Sequence, residues 1–476
     1  MVTMMSQRGR SRPSESVRER PLGSGTPRRV LLITYDFPPS LEMGAHACAQ
    51  IARYLPLFGW EPVVLTVRDR YATNSDPSGR PLDFPVPVIR TRLIPHPLTV
   101  WAGAQSVLRT RGTAGPFAED TRAGMSRPRR WALSLLKTPD AHTGWIIPAT
   151  LAGYGAVRRM GVRALFSSGP CWSNHLVGLV LERLTRLPWI AHFRDPWTAI
   201  PQWKPVSALS LRAEAAMERA VLRRATRVVC VTDRHAHLLR QTHPDLPPER
   251  IVTIANGFDE AEWSGLADGR GTPPGTTGGR FVITYAGSLY QHRSPLPLLR
   301  ALRLLADRGE VDPTRVRVDL VGWCDVAEGR SVQGMARDLG FDGAVVLTGP
   351  LSRPETLRRL VASDLLLLLA EAQPFQIPGK TYEYLRAGRP ILALTSEGAL
   401  ADLLGKTGGA WVAHPTDEQG IAAAIRETYR AWVAEHPLAG ADPAVVKAFD
   451  RRVLAERLSR LLDHAADPRS TGIVVD

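Results

Sequence analysis

Lys380 and Glu383 stand three residues apart in QIPGKTYEYLRAGRP (376–390), directly behind Pro378 and Gly379, a pair that opens a helix. A spacing of three puts both side chains on one helical face. Free backbone N–H groups, the positive end of the helix dipole and a lysine charge then converge, which suits a diphosphate. A carboxylate on the same face can accept hydrogen bonds from ribose hydroxyls. Gly388 ends this helix and Pro390 leads into the next strand. The competing reading is an ordinary surface Lys–Glu pair; the flanking PG and AGRP favour the ligand.

Three more loops carry polar groups at strand ends. In TYDFPPSLEMGAHACAQIARYL (34–55), Met43 and Gly44 are read just ahead of a helix, where a small residue lets backbone approach a ligand. FSSGPCWSNHLVG (166–178) brings Ser167, Ser168, Gly169, Ser173, Asn174 and His175 to a strand end and helix start. HFRDPW (192–197) does the same for Arg194 and Asp195. Each has a structural alternative: a plain turn, a core histidine, a salt bridge with a capping role.

The elements behind these loops alternate. RRVLLITYDFPP (28–39) reads as a strand ended by prolines, HACAQIARYLPLFGW (46–60) as a helix, and EPVVLTV (61–67) as a strand. Strands over 163–169, 188–195, 226–233 and 250–257 continue the series, with helices through about 185, over 208–224 and near 234–240. A second series has strands at 280–287, 315–323, 344–349, 364–370 and 390–394, and helices near 295–308, 331–338, 353–361 and 380–388. Short, continuously apolar strands of this kind are covered on both faces. The chain is therefore α/β, with two Rossmann-like domains and parallel sheets. Ligands in such sheets bind at the carboxyl ends of the strands.

The predicted organisation is a disordered basic tail over 1–27, a first domain over 28–263, and a Pro/Gly-rich linker over 264–279. A second domain over 280–443, a last helix over 444–466 able to pack on either half, and a tail over 467–476 complete it. The section 68–140 is irregular and reads as an insertion over the ligand face, with an amphipathic stretch at SRPRRWALSLLK (126–137).

The 476 residues suit two or three domains, and 44% hydrophobic with 22% charged residues is ordinary for a soluble protein. No run reaches the apolar length of a membrane span, no apolar stretch follows the charged N-terminus, and neither a Gly-x-Gly-x-x-Gly turn nor a P-loop is present. Four dispersed cysteines form no metal-ligand spacing and read as reduced thiols of a cytosolic protein. The net charge of +14 favours polyanions, although arginine-rich, high-GC coding accounts for such a charge equally well. Helix-turn-helix, RNP and zinc signatures are lacking, so a nucleic-acid partner is not expected.

An ordered set of segments resembles glycosyltransferase family 4, a retaining group with the GT-B fold. Within it the chain is similar to a bacterial subgroup that makes cell-surface polysaccharides. The set is YDFPP (35–39), SSGPCWSNHLVG (167–178), PWIAHFRDPW (188–197), VVCVT (228–232), IANGFD (254–259), YAGSLY (285–290), LVGW (320–323), VLTGPL (346–351), SDLLLLL (363–369) and IPGKTYEYLRAGRPIL (377–392). The resemblance implies a donor site that includes Gly287, Gly379, Lys380 on the diphosphate and Glu383 on the ribose. Met43 and Gly44 would approach the donor phosphates and the acceptor. His175 matches a histidine that contacts the donor sugar, and Asp195, with Arg194 beside it, falls on the acceptor side. The last helix would cross back onto the first domain. Two departures stand out. The family's first glutamate, eight positions before Glu383, is Phe375 here, with Glu371 nearby; and Gly287 is followed by Ser288, which leaves Arg293 as the nearest cation.

A sugar nucleotide departs as a diphosphate, whose growing negative charge must be stabilised. With no aspartate pair at metal-binding spacing, that work falls to Lys380 and Arg293, and neither metal nor cofactor is expected. The expected partners are a nucleotide-sugar donor, a saccharide or lipid-linked acceptor, and an anionic membrane surface for 126–137 at the inner face of the cell membrane. The alternatives are a GT-B nucleotide-sugar epimerase and, outside enzymes, a basic nucleic-acid-binding protein.

Overall fold

The computed structural model describes residues 28–74, 82–94, 138–199, 207–266, 279–290, 293–371 and 373–467. The first domain begins with β1 (Arg28–Ile33), α1 (Met43–Tyr54), β2 (Trp60–Val67) and β3 (Val88–Thr91). It continues with α2 (Ile146–Met160), β4 (Val162–Gly169), α3 (Ser173–Thr185) and β5 (Trp189–Phe193). It closes with α4 (Ala208–Arg224), β6 (Arg227–Cys230), α5 (Asp233–Thr242) and β7 (Ile251–Thr253). Its seven strands lie in the order β3-β2-β1-β4-β5-β6-β7, all parallel.

The second domain opens with β8 (Phe281–Ala286), α6 (Leu296–Asp307), β9 (Val316–Val321) and a small hairpin, β10 (Val326–Ala327) with β11 (Arg330–Ser331). Then come α7 (Val332–Asp338), β12 (Val345–Gly349), α8 (Arg353–Ala362), β13 (Leu365–Leu369) and α9 (Lys380–Ala387). Last are β14 (Ile391–Leu394), α10 (Ala399–Thr407), β15 (Ala410–Ala413) and α11 (Glu418–Val433). The sheet runs β12-β9-β8-β13-β14-β15, again parallel. Helices cover both faces, and in the central strand β13 all five residues are leucines and all are buried. This is the GT-B architecture of two facing Rossmann-like domains.

After a four-residue helix, α12 (Pro443–Val446), and a 3-10 turn over Lys447–Phe449, the chain enters α13 (Arg451–Ala466). The single helix expected from 444 is thus broken. Asp450, extended and accepting from Arg452 N at 2.9 Å, caps a new one. Leu454, Leu458, Leu461 and Leu462 of α13 pack with Val30, Leu32, Ala49 and Trp60 of the first domain. Trp60 Nε1 donates to Asp463 Oδ1 at 2.6 Å, so α13 crosses back.

Both crossings run side by side. Phe258 N donates to Phe449 O at 3.1 Å and Arg451 N to Phe258 O at 2.9 Å. Gly257 makes this approach possible, because a Cβ there would lie 2.0 Å from Phe449 O. Gly257→Ala must push two backbones apart, and a loss of about 1–3 kcal/mol is expected. Urea unfolding measures it; an unchanged midpoint would contradict this packing.

Three details depart from the sequence reading. Met43 and Gly44 are the first two residues of α1, not residues ahead of it. Within 68–140, β3 adds an edge strand beside β2 despite its prolines upstream. Phe258 and Trp263, assigned to the first domain, pack in the second domain's core with Leu357, Leu360 and Tyr382. The tails 1–27 and 468–476, most of the linker and the stretch 126–137 lie outside the described residues.

Candidate active site at the two switch points

In each sheet the chain runs outward in both directions from a central pair, β1 with β4 and β8 with β13. Connections leaving such a pair go to opposite faces and open a crevice at the strand ends. The motifs singled out in the sequence sit in these connections.

In the second domain, β8 is followed by Gly287, whose φ of +137° suits glycine. A Cβ on Gly287 would meet Lys380 Nζ at 2.2 Å, so the ammonium rests directly against this backbone. Lys380, the first residue of α9, also lies 4.0 Å above the Tyr285 ring. Its Nζ is buried and, among the described residues, has no hydrogen-bond partner. Burial, then the nearby Arg293, push its pKa down to about 7. Arg293 itself stacks 4.2 Å over Tyr290. The Gly287 loop is pinned: its N donates to Val321 O at 2.7 Å, and Cys324 Sγ donates to its carbonyl at 3.1 Å. A buried, unpaired ammonium at a helix start, with a second cation beside it, can take a diphosphate.

Glu383 shares α9 with Lys380, but its Oε1 is in an ion pair with Arg353 Nη2 at 2.8 Å. A cavity of about 340 Å³ opens beside the ends of β13 and β14, lined by Ser294, Arg300, Glu371, Leu394 and Thr416. Glu371 is thus a carboxylate at the strand end that lacks the family's first glutamate.

In the first domain, Arg194 follows β5 and turns back: its Nε donates to Gly169 O at 2.7 Å. Its guanidinium fills the space beside Gly44, where a Cβ would stand 2.4 Å from Nη2. Gly44 therefore makes room for Arg194. Arg194 and Asp195 do not pair with each other. Asp195 Oδ1 accepts from Gln376 Nε2 of the second domain at 2.5 Å, and Thr232 Oγ1 donates to Phe375 O at 2.8 Å. Met43 also spans the cleft, its methyl lying over Gly379, where a Cβ would be 2.8 Å away. Met43, Asp195, Gly379 and Gln376 thus bring the two switch points together.

His175 sits apart, fully buried at the start of α3 and stacked on Phe193 at 4.5 Å between centroids. Ser167 Oγ accepts from Trp189 Nε1 at 2.9 Å and lies 2.8 Å from His175 Nδ1. Having two lone pairs, the serine oxygen can accept from Trp189 and still either donate to or accept from Nδ1, so the ring tautomer sets the direction of this bond. Burial, with Arg194 adding to it, pushes the imidazole down to about pKa 3. Such a ring stays neutral near pH 7. A neutral ring donates from one nitrogen only and does not act as an acid. Among the described residues Nε2 has no hydrogen-bond partner, and it abuts Gly169.

Sequence reasoning missed Arg353, Tyr285, Thr232 and Gln376. Arg353 and Thr232 lie at helix starts, which was a signal of position, but nothing in their spacing pairs them with residues of other segments.

Comparison with known proteins agrees with this architecture. Residues 44–257 match the family model "Glycosyl transferase 4-like domain" and residues 280–431 match "Glycosyl transferases group 1". No curated protein matches the sequence. Among solved structures, sucrose-phosphate synthase from Thermosynechococcus elongatus superposes with a TM-score of 0.61 at 15% identity, covering 92% of this chain and 98% of that one. HepE from Anabaena, solved with UDP, gives 0.61 at 16% identity, covering 92% and 99%. A glycosyltransferase from Rickettsia africae gives 0.58 at 14% identity, covering 93% and 100%. With both domains matched in order, the chain belongs to the glycosyltransferases with a 4-like first domain and a group 1 second domain.

Proposed function

We propose that this glycosyltransferase moves a sugar from a nucleotide-sugar donor to a saccharide or lipid-linked saccharide of the cell surface, with retention of configuration. The observation that carries the donor side is Lys380 Nζ, buried against Gly287 with no hydrogen-bond partner among the described residues. Folding leaves such a group unpaired at a cost, which an incoming phosphate offsets. Structures of HepE, which shares the fold, hold UDP and UDP-glucose. As the donor bond breaks, Lys380 and Arg293 meet the charge growing on the diphosphate. The departing phosphate oxygen takes the acceptor's proton, so no protein base is required. Met43 and Arg194, at the first domain's switch point, face the acceptor, and Asp195 shapes the site there. His175, at the start of α3, contacts the donor sugar.

The test is a thermal-shift panel of nucleoside diphosphates, followed by donor hydrolysis. A ligand at 100 times its Kd stabilises by about 2.7 kcal/mol. If no diphosphate raises Tm, the donor reading fails; isomerised donor without transfer would mark an epimerase instead. Because two cations serve the diphosphate, transfer should survive exhaustive EDTA treatment. Complete loss restored by Mg²⁺ or Mn²⁺ would refute that.

A lipid-linked acceptor places the enzyme at the inner face of the membrane. Among the described residues no helix is long and apolar enough to cross a membrane. The contact would come from 126–137, where Arg127, Arg129, Arg130 and Lys137 flank Trp131 and three leucines. Each cation near an anionic surface contributes about 1 kcal/mol. Protein lacking residues 1–27 should co-sediment with anionic but not neutral vesicles, and less so in high salt. Failure to bind anionic vesicles at low salt would remove the membrane from the proposal.

A further inference from the structure

Arg353, the first residue of α8, holds two carboxylates at once. Its Nη2 reaches Glu383 Oε1 at 2.8 Å. The same guanidinium donates to Glu262 Oε2, from Nε at 2.9 Å and from Nη2 at 2.5 Å. Glu262 belongs to the 3-10 turn Glu260–Trp263, which follows the crossing segment. One side chain therefore joins that turn, the start of α8 and the first turn of α9. The carboxylates are largely withdrawn from water, with side chains 22% exposed for Glu262 and 18% for Glu383. Burial works against the charge on Arg353, but Glu383 and Glu262 together hold its pKa above the ordinary value.

We propose that Arg353 is a positioning residue for the donor: it fixes the Glu383 carboxylate in the orientation that receives the ribose hydroxyls of a nucleoside diphosphate. The proposal rests on the reading of Glu383 as the ribose ligand. A free glutamate side chain samples many rotamers, and each must be given up on binding. With Oε1 held by Arg353, the carboxylate plane is set before the ligand arrives, and Oε2 remains for a hydroxyl. The planar fork matters, because a lysine is a point charge that cannot hold both carboxylates in fixed directions. Glu262 anchors the arginine from behind, so Glu383 does not have to hold it alone.

The test compares UDP with its 2′,3′-dideoxy counterpart by calorimetric titration, or the same pair on whichever base the thermal-shift panel selects. Wild type should prefer the ribose form by about tenfold, the scale of a hydrogen bond to a charged group. Glu383→Ala should abolish this preference. Arg353→Ala should remove most of it while leaving affinity for the dideoxy form within about twofold, since only the ribose contact is disturbed. The double variant should bind no more weakly than Glu383→Ala alone. Arg353→Lys, which keeps the charge and the fold, should also lose most of the preference. It carries the test if Arg353→Ala does not fold. If wild type shows no preference, the ribose reading of Glu383 falls, and this proposal with it. If wild type shows the preference and the Arg353 variants keep it in full, Glu383 stands and Arg353 is only a packing bridge.

Discussion

Replacing Lys380 with alanine lowers the rate of sugar transfer about 100-fold or more, since roughly 2.7 kcal/mol of charge stabilisation leaves with the ammonium. The expectation follows from where Nζ is placed. Among the described residues it has no hydrogen-bond partner to which its energy could be assigned, so what it contributes appears when a phosphate arrives. The loss should fall on kcat as well as on kcat/KM, because charge on the diphosphate is larger in the transition state than in the bound donor. Steady-state kinetics on protein with a native circular dichroism spectrum measures it. Near-normal turnover would remove Lys380 from the reaction. Gly287→Ala tests the same contact from the other side. Its Cβ would fall 2.2 Å from Nζ at a φ of +137°, so the lysine must leave its place.

Much of the fold was legible because its strands are buried on both faces and read as short apolar runs between turn residues. The helix expected over 208–224 is α4, residue for residue, with Ser207 as its capping residue. The last helix was placed too early because the apolar spacing continues through the four-residue α12. Only Asp450, a capping residue type in the middle of that run, marked the true start. The strand β3 was hidden because the prolines around it argue against a strand, and an edge position tolerates them. At the site, Lys380 and Gly287 were legible as motif residues, since a helix start and a strand end are local features. Contacts between segments were not. The Arg353–Glu383 pair spans thirty positions, and the Gln376–Asp195 bond joins different domains. His175 was singled out by its place at a helix start and given its role by resemblance; its burial depends on Trp189, Phe193 and Ser167, which no spacing rule links to it.

Donor affinity should fall as pH rises above 7, and Lys380 sets the direction. In the free protein its pKa is about 7, lowered by burial first and by Arg293 second. A bound diphosphate supplies the missing opposite charge and moves the pKa up, toward the ordinary lysine value of about 10.4. Below pH 7 the lysine is charged in both states and contributes no pH dependence. Between the two pKa values the free protein must take up a proton to bind. Kd then rises about tenfold per pH unit, or about 100-fold from pH 7.5 to 9.5. Titration calorimetry in buffers of different ionisation enthalpy should show uptake of close to one proton at pH 8.5. Lys380→Met should bind weakly with no such slope. The same depressed pKa has the opposite sign for folding. A lysine harder to charge in the folded than in the unfolded chain costs stability wherever the unfolded chain carries the proton. That cost is full below pH 7 and disappears as pH rises toward about 10.4. Without ligand, Lys380→Met should therefore melt at a higher temperature than wild type, most clearly at pH 6–7, with the gain shrinking by pH 10. A Kd independent of pH from 7.5 to 9.5, or a methionine variant less stable than wild type at pH 6.5, would show that the ammonium is not held uncompensated in the free enzyme.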